Sequence, residues 1–313
     1  MSDNLQSLNR AAVAEAIVAA HAGTFGRSDE ALPSRVASSD HPIYLGAKDA
    51  VAMLGFIEVD AECIARAWLS QSERTGRFDA GAWPDAPEDF GLRNFPPGER
   101  ADAFPACPRR LGLYAVLPDA AWVGRMARAG VPTVQLRFKS DDAAAIRREV
   151  FAAVEAVQGT EALLFINDHW QATIDAGAYG LHLGQEDLDA LQPAELSAIK
   201  AAGLRLGVST HGYAEMVRAN KVSPSYIAMG AVYPTTLKKM ATAPQGVARL
   251  AAYARLMRGY SQVGIGGIDE ARFPEVLATG VGSVAVVRAL VTANDPDATA
   301  RRLATMIDEG VRG

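Results

Sequence analysis

The stretch AVYPTTLKKMATAPQG, residues 231–246, gathers three threonines, two lysines and two prolines. Hydroxyls beside ammonium groups suit a bound phosphate, because charged donors make the stronger hydrogen bonds to anionic oxygens. Leu237 interrupts this polar run. Further polar residues follow short apolar runs: Gln135, Arg137 and Lys139; Asn167 and Asp168; Gln185, Glu186 and Asp187; Ser209 and His211; Thr235, Thr236, Lys238 and Lys239; Gly266 and Gly267; and Arg288. Two carboxylates, several cations and a glycine pair describe a site for a metal-bound diphosphate and a second phosphate.

The elements that must position them are the apolar runs. LGLYAVL (111–117), TVQLR (133–137), ALLFI (162–166), YGLHL (179–183), LRLGVS (204–209), SYIAMG (225–230), QVGIG (262–266) and SVAVV (283–287) read as eight strands, each followed by an amphipathic helical pattern. Strands alternating with helices imply a parallel sheet. Eight units in roughly 200 residues fit a closed (β/α)8 TIM barrel, an α/β fold whose active site lies at the C-terminal ends of the strands. A doubly wound open sheet is the alternative, but its glycine-rich dinucleotide turn is missing after the first strand. All the polar residues above then fall on one rim. Asp168 and Asp187 follow neighbouring strands, about 4.8 Å apart, so both reach one cation. Hard oxygen ligands without paired histidines or thiolates favour Mg²⁺. Capping of the helices near His169 and after Leu188 is the alternative use of these two aspartates.

Residues 1–75 read as a helical extension, with patterns over 11–23 and 47–74, the second broken near Gly55. Residues 76–109 carry six of the sixteen prolines and read as a linker or arm, and the barrel follows over 110–313. His182 lies inside a strand and is expected in a core or supporting role, His41 in a loop, and His169 with Trp170 at a helix start. No G-x-S-x-G elbow surrounds Ser209, which argues against a serine hydrolase.

Composition narrows the classes. The chain has 313 residues, 49% of them apolar, enough for a large core. A net charge of −5 argues against a nucleic-acid binder. Cys63 and Cys107 lie in no metal-like spacing and are expected as reduced thiols of a cytoplasmic protein. The polar start MSDNLQSLNR lacks the apolar core of a signal peptide, and no run approaches a membrane span.

The segments VQLRFK (134–139), FINDHW (165–170), GLHLGQEDL (180–188), GVSTHG (207–212), the YPTTLKKM loop and GIGGI (264–268) together resemble the motif set of the thiamine phosphate synthase family, in the family's order. The resemblance implies a transferase of thiamine biosynthesis. Such an enzyme joins hydroxymethylpyrimidine diphosphate to thiazole phosphate, giving thiamine monophosphate and diphosphate. It implies that Gln135, Leu136, Arg137, Phe138 and Lys139 hold the pyrimidine diphosphate with Asn167, Ser209, His211 and Lys238. Thr235, Thr236, Leu237, Gly266, Gly267, Val287 and Arg288 would surround the thiazole phosphate. Arg137, Lys139, Ser209 and Lys238 are the candidate catalytic groups, and Asp168 and Asp187 the Mg²⁺ ligands. The expected partners are these small molecules and, in a homo-oligomer, further copies of the chain, with no nucleic acid and no membrane.

The family's loop reads P-T-x-T-K, whereas Leu237 stands here for the second threonine and Arg288 for the usual serine. The expectation is that Arg288 replaces the lost hydroxyl contact by a charge-assisted one; the alternative leaves it in solvent. A thiazole tautomerase, which needs neither diphosphate nor metal, and a non-catalytic regulatory barrel are the competing functions. The segment MLGFIEVDAECIARAWLSQSER (53–74) is similar to the closing part of hydroxymethylpyrimidine phosphate kinases, but residues 1–110 are too short for a kinase and carry no phosphate-binding glycine turn.

Overall fold

A computed structural model of the chain describes residues 9–28, 37–92, 100–235 and 243–310. The chain divides into two compact units, Met1–Arg93 with Gly212–Arg218, and Asn94–His211 with Ala219–Gly313.

The first unit is helical. Helix α1 spans Arg10–Phe25, α2 Pro42–Met53 and α3 Glu58–Thr75. Asn9 starts α1 by accepting from the Ala11 amide at 2.8 Å, and Pro42 occupies the first turn of α2, where its missing N–H costs nothing. His41, expected in a loop, is the N-cap of α2, its ring Nδ1 accepting from the Ile43 amide at 3.2 Å. Helix α2 begins before the expected residue 47, and the break falls between Met53 and Glu58, where Gly55 has a φ of +79°. Gly46 lets α1 and α2 approach closely, since a Cβ there would lie 2.6 Å from the Cβ of Val13. The fully buried Trp68 meets Trp83 at 5.3 Å between ring centroids, and Trp83 meets Phe56 at 5.6 Å. Large rings of this kind bury large apolar areas.

The second unit is a closed parallel barrel in which every strand pairs with its neighbours in chain order: β1 Leu113–Leu117, β2 Thr133–Leu136, β3 Leu163–Asn167, β4 Gly180–Leu183, β5 Arg205–Thr210, β6 Tyr226–Met229, β7 Ser261–Gly264 and β8 Val284–Val286. The strands agree with the sequence reading to within two residues at their ends. Helices follow them in turn, among them α4 Ala120–Arg128, α5 Ala143–Ala156, α6 Trp170–Ala176 and α7 Gln185–Ala190. The barrel interior is filled by Tyr114, Phe165 and Tyr226 with Val116, Ala228, Val263 and Ala285. Two glycines make room for the rings: a Cβ at Gly180 would lie 2.4 Å from Phe165 Cε1, and one at Gly207 2.1 Å from Tyr226 Cζ. Large residues on some strands therefore interlock with absent side chains on others, which is how a small barrel reaches interior density.

Residues 100–111 cross the N-terminal ends of three strands. Ser225 Oγ donates to the Pro105 carbonyl at 2.7 Å, Ser261 Oγ to that of Pro108 at 2.9 Å, and Ser283 Oγ accepts from the Leu111 amide at 2.9 Å. Cys107 Sγ donates to the Ser225 carbonyl, and both cysteines are free thiols. Among the described residues, no helix is long and apolar enough to cross a membrane.

Candidate active site

At the end of β2 and in the loop that follows it, alternate residues of the QLRFK run face the barrel mouth. Gln135, Arg137 and Lys139 alternate on one side and line a cavity of about 820 Å³ at the C-terminal ends of the strands. Leu136 and Phe138 stand between them and do not line it; Leu136 is buried instead, and the Phe138 carbonyl meets His169 Nε2 at 3.1 Å. Gln135 is buried yet satisfied, its amide donating to Asn167 Oδ1 at 2.8 Å. This pair joins the ends of β2 and β3 and orients both side chains.

Asp168 follows β3 with a φ of +65°, in the left-handed region that side chains other than glycine seldom adopt. Its amide donates to the His182 carbonyl on β4 at 3.0 Å, which holds this turn. The neighbouring His169 is the N-cap of α6, without a side-chain cap bond, so the capping alternative for Asp168 is not the one adopted. Asp187 lies within the first turn of α7 rather than ahead of a helix beginning after Leu188. The two carboxyl groups meet in the cavity. Burial, then the charge of Asp187 and a hydrogen bond shared with it, push the Asp168 carboxyl up to about 6. Like charges so close favour a shared proton or a cation. Among the described residues, no group of three or more His, Cys, Asp or Glu side chains is arranged to hold a metal ion.

Across the mouth, Ser209, next to last in β5, lines the cavity with Thr210 and His211. Gln185 Nε2 donates to the Ser209 carbonyl at 2.7 Å, and the Ser209 hydroxyl lies 2.8 Å from His182 Nε2. Thr235 lines the cavity, whereas Thr236, Leu237, Lys238 and Lys239 lie outside the described residues. After β7, Gly266 and Gly267 have φ of +108° and +66°, and Cβ atoms there would lie 2.5 Å from Ala231 and 2.6 Å from the Pro234 carbonyl. Only glycine fits this turn. Among the described residues, no acceptor meets the amides of Gly266, Gly267 or Ile268. Val287 and Arg288 also line the cavity, and Arg288 is exposed at the start of a short helix, Arg288–Val291.

Two groups that the sequence reading left aside stand in the cavity wall. His182 faces it from β4. Arg272 lines it too, donating to the Gly267 carbonyl at 2.6 Å, so that it braces the glycine turn from behind. A cation five residues beyond a glycine pair gives no local signal in the sequence; only the return of the chain after β7 brings it back.

The family model of thiamine monophosphate synthase matches residues 113–290 of this chain. A thiamine-phosphate synthase of Neisseria meningitidis serogroup B is 52% identical over 205 residues, covering 66% of this chain and 98% of the relative. One from Yersinia pestis is 48% identical over 205 residues, covering 66% of this chain and 94% of its own. Among solved structures, a thiamine phosphate pyrophosphorylase from Pyrococcus furiosus superposes with a TM-score of 0.57 at 26% identity, covering 65% of this chain and 98% of that one.

Proposed function

The chain belongs to the thiamine monophosphate synthase family, a family of transferases, and from that premise we propose how its own residues divide the work. The reading is a thiamine-phosphate synthase with two anion sites in one cavity. The observation that carries it is the meeting of Asp168 and Asp187 in the cavity that Arg137 and Lys139 also line.

Arg137 and Lys139 hold the diphosphate of the pyrimidine substrate by charge-assisted hydrogen bonds. The Gln135–Asn167 pair orients the heterocycle, because each amide is already fixed by the other. Asp168 and Asp187 would hold Mg²⁺, an ion that prefers hard carboxylate oxygens. When bound, Mg²⁺ supplies neutralisation of the charge that builds on the leaving diphosphate. The amides of Gly266, Gly267 and Ile268, which meet no acceptor among the described residues, anchor the thiazole phosphate with Thr235 beside them. Arg288 adds a charge at the same end.

The chemistry then needs no protein nucleophile. The bond between the pyrimidine methylene and the diphosphate oxygen breaks with its electron pair leaving on oxygen. The aminopyrimidine supplies electron density to the methylene carbon, and the thiazole nitrogen lone pair closes the new carbon–nitrogen bond. Fixed cations stabilise the departing charge, and the two anchors keep the reacting atoms in line. A cytoplasmic, metal-dependent enzyme acting on two small molecules follows from this reading.

Release of diphosphate from the pyrimidine diphosphate, thiazole phosphate and Mg²⁺ tests it. Release that requires all three, and that collapses in Asp168→Ala, is expected. A folded protein that isomerises a thiazole carboxylate phosphate but releases no diphosphate would overturn the reading in favour of a tautomerase.

A further inference from the structure

Beneath the cavity a single file of hydrogen bonds runs into the barrel core. Ser209 Oγ lies 2.8 Å from His182 Nε2, His182 Nδ1 lies 2.6 Å from the Tyr226 hydroxyl, and that hydroxyl lies 2.7 Å from the Tyr114 hydroxyl. The file is built in. Tyr226 stacks on the His182 ring at 5.7 Å, and Gly207 vacates the space that the Tyr226 ring fills. Both tyrosines are fully enclosed, and burial pushes both hydroxyls above their ordinary range, so both stay protonated.

With the His182 ring neutral, the protons of these three bonds have two self-consistent arrangements. In one, Tyr114 donates to Tyr226, Tyr226 donates to His182 Nδ1, His182 Nε2–H donates to Ser209, and the Ser209 proton is left over. In the other, every bond is reversed, and the Tyr114 proton is left over. Ser209 lines the open cavity, where a substrate can accept its proton. Tyr114 is 1% exposed, and Tyr226 is the one partner of its hydroxyl among the described residues. An orphaned proton there costs roughly 1–3 kcal/mol, whereas one at the open mouth can be given to solvent or to a substrate. The first arrangement wins, and neighbouring bonds in one direction reinforce each other.

We propose that His182 is a positioning residue, held by Tyr226 in its Nε2–H tautomer, which makes Ser209 an obligate hydrogen-bond donor toward the substrate. Ser209 therefore selects an acceptor, a diphosphate oxygen or a bare ring nitrogen, and disfavours a substrate that presents an N–H or O–H at that place. This inference deepens the synthase reading and rests on it for the identity of the substrate, but the tautomer itself belongs to the protein alone.

The decisive experiment is ¹⁵N NMR on protein labelled at histidine, without substrate, the His182 signals being assigned through His182→Gln. A bare Nδ1 and a protonated Nε2 are expected, with that preference lost in Tyr226→Phe. A protonated Nδ1 in the wild-type protein would overturn the proposal. In turnover, Tyr226→Phe should lower kcat/KM by about tenfold, the loss of one hydrogen bond. The same change should do nothing further in a Ser209→Ala background, because it acts through that hydroxyl. His182→Gln, whose amide can donate near the Nε2 position, should retain most of the activity that His182→Ala loses. Additive losses, or a glutamine variant as poor as the alanine one, would count against the proposal. A protein with the expected tautomer but no diphosphate release would overturn the synthase reading and leave the direction of the file standing. Diphosphate release with the opposite tautomer would do the reverse.

Discussion

A lysine of the helical unit and three cations at the barrel mouth are held in opposite ways. In the helical unit, the Lys48 ammonium is 2.7 Å from Glu62, 3.0 Å from Glu58 and 3.4 Å from the Tyr44 hydroxyl, and its side chain is 7% exposed. Burial alone would lower its pKa, but these partners outweigh burial and raise it. In the barrel unit, Arg137, Lys139 and Arg288 reach the cavity with no side-chain hydrogen bond or ion pair to a described residue. A closed charge holds structure, because removing one partner strands the other. An open charge costs the fold little and is free to meet an anion. The contrast separates residues that keep the molecule folded from residues that serve a ligand.

The sharpest way to break it is to delete one cation of each kind. Lys48→Met should cost about 3 kcal/mol of local stability, seen as faster amide exchange over residues 42–75, with kcat per folded molecule unchanged. Arg137→Ala should do the opposite, lowering kcat roughly a hundredfold to a thousandfold. Next in size is Gly207→Ala, whose added Cβ would fall on the Tyr226 ring. Repacking there should cost about 1–3 kcal/mol in urea denaturation, and it should disturb the file that ends at Ser209.

A pH series sharpens the closed side further. Burial opposes ionisation of Glu62, but hydrogen bonds from Lys48, Ser38, Tyr44 and Arg66 outweigh it and lower its carboxyl to about 2 from 4.5. A depressed carboxyl adds stability that is fully present above the unfolded value and is lost as pH falls through the folded one. Amide exchange over residues 42–75 should therefore quicken as pH drops from about 4.5 towards 2, beyond the chemistry of exchange itself. Lys48→Met should flatten that response. The smallest expected effect is at Arg288: exchange for serine should raise KM for thiazole phosphate several-fold, the size of one charge-assisted contact. An unchanged KM would mean that Arg288 faces solvent and does not stand in for the hydroxyl missing at Leu237.

The barrel and its mouth were legible because both rest on periodic, local signals. Eight apolar runs give eight strands, and the residues at or just past the end of each run reach the rim. Gln135, Arg137, Asn167, Asp168 and Ser209 are found there for that reason alone. The file beneath them was hidden. Tyr114 and Tyr226 look like ordinary strand aromatics 112 positions apart, and His182 looks like one more buried ring. Their hydroxyls meet because the sheet closes and Gly207 vacates space for the Tyr226 ring. The His41 cap was missed because histidine is an unusual acceptor at that position. Arg272 was missed because it acts through the Gly267 carbonyl rather than through a motif.

The open charges serve a ligand and not the fold. The most direct measurement pairs a melting curve with diphosphate release on the same Arg137→Ala preparation. An unchanged melting midpoint with release lowered a hundredfold or more is the result this contrast requires. A depressed midpoint, with release falling only in proportion to the folded fraction, would make Arg137 a structural residue and contradict it.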